Sequence, residues 1–189
     1  DQPRSRGLGD VYKRQVYEFG GGHVKEHLSG IYEFLQKKKM EGRIKKLGFS
    51  YHDNAELLDQ ILTEHPETEV VQLQINYLDW DDQRVQSGKC YETARKHGKE
   101  IIVMEPVKGG SLATISDDIT AKFKAAHPDW SVASWAMRWV ASLNNCKIIL
   151  SGMTEEDQVA DNLATFSHLE PLGERELAVI EDVRAALKQ

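Results

Sequence analysis

The sequence predicts an α/β protein with a parallel sheet, either an open doubly wound sheet or part of a (β/α)8 barrel. Three observations predict it. Strand-like and helix-like segments alternate through most of the chain, and such alternation joins parallel strands through crossover helices. The stretch "EIIVMEP" is a continuous apolar run, the pattern of a strand covered on both faces. No Gly-x-Gly-x-x-Gly follows any strand, so a dinucleotide-binding open sheet gains no motif. A complete (β/α)8 barrel usually needs about 250 residues, and this chain has 189.

The elements follow in order. "GIYEFLQKKKMEG" is an amphipathic helix with Ile31, Phe34 and Leu35 at helical spacing. Lys37, Lys38 and Lys39 lie near its negative end, and Gly42 is its stop. "RIKKLGFS" reads as a short strand with Ile44, Leu47 and Phe49 as its apolar members. "DNAELLDQILTEHP" is a helix capped by Asp53 or Asn54, with Leu57, Leu58, Ile61 and Leu62 as its stripe. "EVVQLQINYLDW" is a strand in which Val71, Leu73 and Ile75 alternate with Gln72, Gln74 and Asn76. "VQSGKCYETARKHG" is a helix closed by Gly98, and "EIIVMEP" is the next strand. Two helices follow, "SDDITAKFKAAHP" and "DWSVASWAMRWVASLNN", the second with Trp135, Trp139 and Leu143 at helical spacing. "CKIILSG" is the last strand. "TEEDQVADNLATF" and "GERELAVIEDVRAALKQ" are closing helices, with Thr154, Glu155 or Asp157 placed for the first N-cap.

Composition narrows the function. Hydrophobic residues make up 40% and charged residues 29%, values of a soluble globular domain. The net charge of −6 argues against a nucleic-acid partner, which selects a basic surface. No apolar run approaches the roughly 20 residues of a membrane span. Cys90 and Cys146 lack metal-ligand spacing, so no metal site is expected, and they suit a reducing cytoplasm.

In either architecture ligands collect at the C-terminal ends of the strands. Four polar or Gly-rich stretches fall there: residues 50–53, 76–80, 105–110 and 151–154. In "EPVKGG", Lys108 brings a cation, and Gly109 and Gly110 let backbone N–H groups approach an anion. That is a phosphate cradle or, equally, a tight turn with a solvated lysine. "SGMTEEDQVADN" runs from a strand into a helix whose start is already neutralised by acids, which favours an ordinary capped helix. His52 reads as a pocket wall or a hydrogen-bonding residue. His65, His97 and His127 read as solvated cations at helix C-termini, and Trp130, Trp135 and Trp139 as helix packing.

The motifs "GFSYHD", "QINYLDW", "MEPVKGG" and "SGMTEEDQVADN", in that order, resemble those of the aldo/keto reductase family. The nearest resemblance is to its bacterial branch with a C-terminal ferredoxin-type iron–sulfur domain, and it covers residues 16–189. The resemblance implies the C-terminal part of a (β/α)8 barrel, about four βα units plus closing helices. It implies an NAD(P)H-dependent oxidoreductase reducing aldehydes or ketones, with NADPH or NADH as cofactor. By the same resemblance, Ser50 and Gln72 hold the nicotinamide carboxamide, and Met104 takes the place of a ring that stacks on the nicotinamide. Pro106, Val107, Lys108 and Gly109 form the pyrophosphate turn, and Gly152, Met153, Gln158 and Asn162 surround the adenosine and its 2′-phosphate. His52 faces a small carbonyl substrate.

The family's catalytic Asp, Tyr, Lys and His match no residue of this chain, since no strand is expected before residue 16, so no catalytic residue is assigned. 4Fe–4S clusters and a redox partner are implied only for a full-length protein. Residues 5–15, "SRGLGDVYKRQ", back-translate into an open frame resembling a sequencing-library adapter and transposon end. Residues 1–15 are therefore expected to be adapter-derived and disordered, and residues 16–189 to be a partial barrel, inactive alone and prone to self-association. The alternative is a non-catalytic cofactor-binding or regulatory reductase-like module.

Overall fold

One sheet organises the chain, which a computed structural model describes over residues 15–16 and 25–188. Its parallel strands follow chain order: β1 (Gln15–Val16), β2 (Gly48–Tyr51), β3 (Val70–Gln74), β4 (Glu100–Met104) and β5 (Cys146–Ile149). Helices α1 (Lys25–Met40), α2 (Ala55–Glu64) and α3 (Ser87–Lys96) connect the first four strands. The pair α4 (Asp117–Ala126) and α5 (Val132–Ala141) leads to β5, and α6 (Glu156–Ser167) and α7 (Glu174–Leu187) close the described chain.

The alternation in "VVQLQ" becomes two faces. Phe49, Tyr51, Val71, Leu73, Ile101 and Val103 lie under the helices, each no more than 2% exposed. Leu58, Ile61 and Leu62 of α2 meet them from above. Burying each such side chain is worth about 1.5–3 kcal/mol. The other parity, Gly48, Val70, Gln72, Glu100, Ile102 and Ile148, lines a cavity of about 340 Å³ along the second face. Ile102 and Met104 are therefore half-buried, not covered on both sides as the apolar run had suggested.

Capping chemistry sets the helix starts. Asn54, not Asp53, caps α2: its Oδ1 accepts the Leu57 N–H at 2.9 Å. Asp53 instead accepts from Asn54 N at 2.7 Å. Ser131 caps α5 by accepting the Ser134 N–H at 2.9 Å, and donates to Asp161 of α6 at 2.6 Å. One hydroxyl thus starts one helix and ties it to another. Glu155 occupies the N-cap of α6. Gly42, at φ +71°, ends the α1 turn as its sequence suggested.

Four expectations change. Phe34 is 51% exposed, and Tyr32 and Leu35 are the buried members of α1. Tyr32 stacks on His65 at 3.8 Å, so an aromatic partner sets the buried face rather than apolar spacing. Ile44 and Leu47 are buried but precede β2, which starts at Gly48. Asn76 is fully buried beyond the end of β3 instead of alternating outward, because its side chain bonds the neighbouring loop. Gln15, expected in the disordered segment, forms with Val16 a two-residue strand paired with Gly48 and Phe49. Residues 1–14, most of the expected adapter segment, lie outside the described residues.

Gly48 sits where the strands approach most closely. A Cβ there would come within 2.3 Å of the Val70 carbonyl oxygen, a backbone atom that cannot swing away. Gly48→Ala is expected to cost about 1–3 kcal/mol, read as a lower urea midpoint with an unchanged slope.

Candidate functional site

The loops after β2, β3, β4 and β5 gather at one end of the sheet, and the loop after β3 is the most tightly built. Asn76 Oδ1 accepts the N–H groups of Leu78 (3.1 Å) and Asp79 (2.9 Å), folding the chain back on itself. Its Nδ2 donates to Asp79 Oδ2 at 2.9 Å and to the Glu105 carbonyl at 3.1 Å, reaching into the loop after β4. Gln74 Nε2 donates to the same Asp79 oxygen at 2.8 Å. Trp80, the next residue, packs edge-on against Trp139 at 5.1 Å and at a tilt against Tyr91 at 5.2 Å. "NYLDW" is thus an anchor whose polar half faces the strand ends and whose aromatic half enters the core.

The loop after β4 rests on that anchor. Glu105, Lys108, Gly109 and Gly110 all have positive φ (57°, 50°, 60° and 92°). Glycine adopts such angles freely, whereas Glu105 and Lys108 each carry about 1–3 kcal/mol of local strain. Two bonds from the β3 loop hold them: Asn76 to the Glu105 carbonyl, and an ion pair between Lys108 Nζ and Asp79 Oδ1. Asp79 is 3% exposed. Burial alone would raise its carboxyl, but hydrogen bonds from Lys108, Asn76 and Gln74 outweigh that and hold it below the usual carboxylate range. The Lys108 cation is therefore not simply solvated. One side of it is bound and the other remains open, its side chain 37% exposed. Pro106 is buried and Val107 packs on the core, which fixes the start of the turn.

Ser50 and Gln72 face each other in register across β2 and β3, on the second face of the sheet. Gln72 Nε2 lies 3.3 Å from Met104 Sδ, which brings the end of β4 to the same place. These three expected residues converge. His52 is exposed at the end of β2, on a cleft of about 160 Å³ shared with Asp53, Gln74 and Arg84. In the loop after β5, Gly152 and Met153 are exposed. Gln158 and Asn162 are engaged by the loop itself. Gln158 Oε1 accepts the N–H groups of Thr154 (2.8 Å) and Glu155 (3.3 Å), and Asn162 Nδ2 donates to Ser151 Oγ at 3.0 Å.

Asn76 and Asp79 fall in a strand-end stretch that the sequence marked, but it gave them no role. The signal was present: an Asn three residues before an Asp, directly after a strand, is the spacing of a side-chain-capped turn. The helix-end histidines also differ from expectation. His97 meets Asp59 at 2.7 Å, and His127 meets Glu176 at 3.0 Å while stacking on Trp130 at 3.9 Å. They join elements together instead of standing in solvent. The tryptophans pack as expected, with Trp135 fully buried and stacked on Phe123 at 4.6 Å.

The family model of the aldo/keto reductases matches residues 22–185, well over half of the chain. The chain belongs to the aldo/keto reductase family. None of the curated proteins matches it. Among solved structures it is similar to an aldo-keto reductase of Bacillus halodurans, at 18% identity and TM-score 0.66, covering 86% of this chain and 59% of that one. It is similar to an aldo-keto reductase of Klebsiella pneumoniae, solved with NADPH, at 18% identity and TM-score 0.64, over 86% of this chain and 55% of that one. A glycerol dehydrogenase of Gluconobacter oxydans matches at 20% identity and TM-score 0.61, over 80% of this chain and 52% of that one. The chain thus spans a little over half the length of these relatives. Its fold is that of part of a (β/α)8 barrel: the helix-covered face of the sheet is the outer layer, and the second face is the barrel interior.

The depressed carboxyl of Asp79 fixes the sign of a pH effect. A carboxylate stabilised in the folded state contributes fully above its unfolded value, about 3.9, and loses that contribution as pH falls through the lower folded value. The stability gap between the native protein and Asp79→Asn, measured by urea unfolding, should be constant near neutrality at about 1–3 kcal/mol, since the variant leaves buried donors unpaired. It should shrink below about pH 4.

Proposed function

We propose that this chain supplies the cofactor-binding side of an NAD(P)H-dependent oxidoreductase that reduces aldehydes or ketones. The observation that carries the reading is the convergence at one sheet end. An anchored Lys108 lies on the left-handed turn that follows β4, and β4 neighbours β3, whose Gln72 stands in register with Ser50 of β2. A nicotinamide cofactor has two polar features far apart, a neutral carboxamide and a charged pyrophosphate. The strand ends carry a matching pair of features. Ser50 and Gln72 provide neutral donors and acceptors, and Lys108 provides a cation with Gly109 and Gly110 beside it. A Cβ at Gly110 would meet nothing within 4 Å, so that side of the turn is open to a ligand.

The bound cofactor would supply a hydride. The chain's own residues bind and orient. The Ser50 hydroxyl and the Gln72 amide fix the carboxamide, Met104 Sδ holds the Gln72 amide in place, and Lys108 takes the phosphates. Gly152 and Met153 reach the adenosine end, with Gln158 and Asn162 shaping their loop. His52 faces the carbonyl substrate from the β2 end. The complex of the Klebsiella pneumoniae relative with NADPH supports NADPH as the first choice. No residue of this chain takes the role of the family's acid–base group in this reading, so binding without turnover is expected.

Iron–sulfur chemistry does not fit the residues present. Burial pushes the thiols of Cys90 and Cys146 up to about 11, and a cluster needs thiolates. Two unpaired cysteines of this kind are in keeping with a cytoplasmic protein, and the acidic chain with a small-molecule partner rather than nucleic acid.

Titration of NADPH fluorescence tests the reading. Lys108→Ala removes one charge-assisted contact, worth about 1.5–3 kcal/mol, so Kd should rise about tenfold or more. Equal, tight binding by both proteins would reject the assignment. In the same preparation, NADPH oxidation with an aldehyde panel should stay at background, and turnover at the rate of a complete reductase would reject the binding-only role.

A further inference from the structure

We infer that Asp79 is a positioning residue for anion binding: it aims the Lys108 ammonium at the phosphates of the cofactor. The inference rests on the cofactor reading above and adds a residue that the reading does not use. Three observations carry it. Asp79 is buried, yet both of its oxygens are engaged, Oδ1 by Lys108 and Oδ2 by Gln74 and Asn76. The carboxylate is thus fixed from below by two neutral amides before it meets the lysine. Lys108 is a non-glycine residue at φ 50°, so its backbone is held in a strained turn that projects the side chain back over the β3 loop. Its ammonium has three N–H donors, and the Asp79 bond uses one while the half-exposed side leaves others for a ligand.

The physical gain is entropic. A free lysine spreads its ammonium over many rotamers and must freeze them when an anion arrives. Here the stem is already frozen against a carboxylate that cannot move. The anion meets a cation whose direction was set by folding. The buried negative charge below would be expected to repel a phosphate, but Asn76 and Gln74 spread that charge over their own N–H groups, and the lysine stands between. A merely structural Asp79 would support the loop whether or not residue 108 is a lysine. A positioning Asp79 matters to binding only while the lysine is there.

A double-mutant cycle separates the two. The native chain, Asp79→Asn, Lys108→Met and the double variant are titrated calorimetrically with NADPH and, separately, with inorganic pyrophosphate. Asp79→Asn should weaken both about fivefold to tenfold, or about 1–1.4 kcal/mol, and should cause no further loss once Lys108 is Met. An equal loss in both backgrounds, unchanged affinity or tighter binding by Asp79→Asn overturns the inference. If pyrophosphate binds with this coupling and NADPH does not bind, the cofactor reading fails and the positioning role stands. A second measurement needs neither ligand nor Asp79 variant. With the lysines carrying isotope-labelled methyl groups, the Lys108 signal, assigned through Lys108→Met, should show restricted motion relative to exposed Lys37. Equal mobility of the two overturns the inference.

Discussion

The contact between Lys108 and Asp79 is the constraint on which the functional end of this sheet depends. Parallel strands deliver their loops to one edge but do not decide what those loops look like. Two adjacent loops here are locked together by a carboxylate with three hydrogen-bond donors, and by the Asn76 amide that bridges to the Glu105 carbonyl. The strained angles at Glu105 and Lys108 persist because that network over-determines them. Removing the network would release the turn into commoner conformations and leave the glycines without a fixed direction to present.

The site is a division of labour between neighbouring strands. β2 and β3 set two neutral polar side chains in register, β4 brings a sulfur against one of them, and the loop beyond β4 carries the charge. The β5 loop is braced by α6, since Gln158 accepts its backbone N–H groups and Asn162 bonds the Ser151 hydroxyl. Such an arrangement suits a long ligand with separated neutral and charged parts.

Much of the fold was legible in the sequence because period and punctuation agreed. The alternation of "VVQLQ", the stripe of Leu58, Ile61 and Leu62, and the stop at Gly42 each mapped onto the observed element. The failures share a cause: the deciding partner was distant in sequence. Phe34 was expected inside, but the stacking of Tyr32 on His65 turned the helix otherwise. Lys108 was seen as a cation, while its partner lay 29 residues earlier. The helix-end histidines were placed correctly but not their contacts, since His97 and His127 find their acids on other helices. The convergence of Ser50, Gln72 and Met104 came from family resemblance, and strand register explains it physically: adjacent parallel strands put residues of one parity side by side.

The position of Trp80 has an optical consequence. It follows Asp79 directly, and its indole stands perpendicular to that of Trp139, at 85° and 5.1 Å between centroids. Two indoles so close and so oriented couple their electronic transitions, and the resulting near-ultraviolet circular dichroism depends on their mutual tilt. The loop that holds Asp79 therefore carries one member of a chromophore pair whose other member lies on α5. A movement of this loop that tilts the Trp80 ring is recorded in the spectrum of the unlabelled protein even where every helix stays intact.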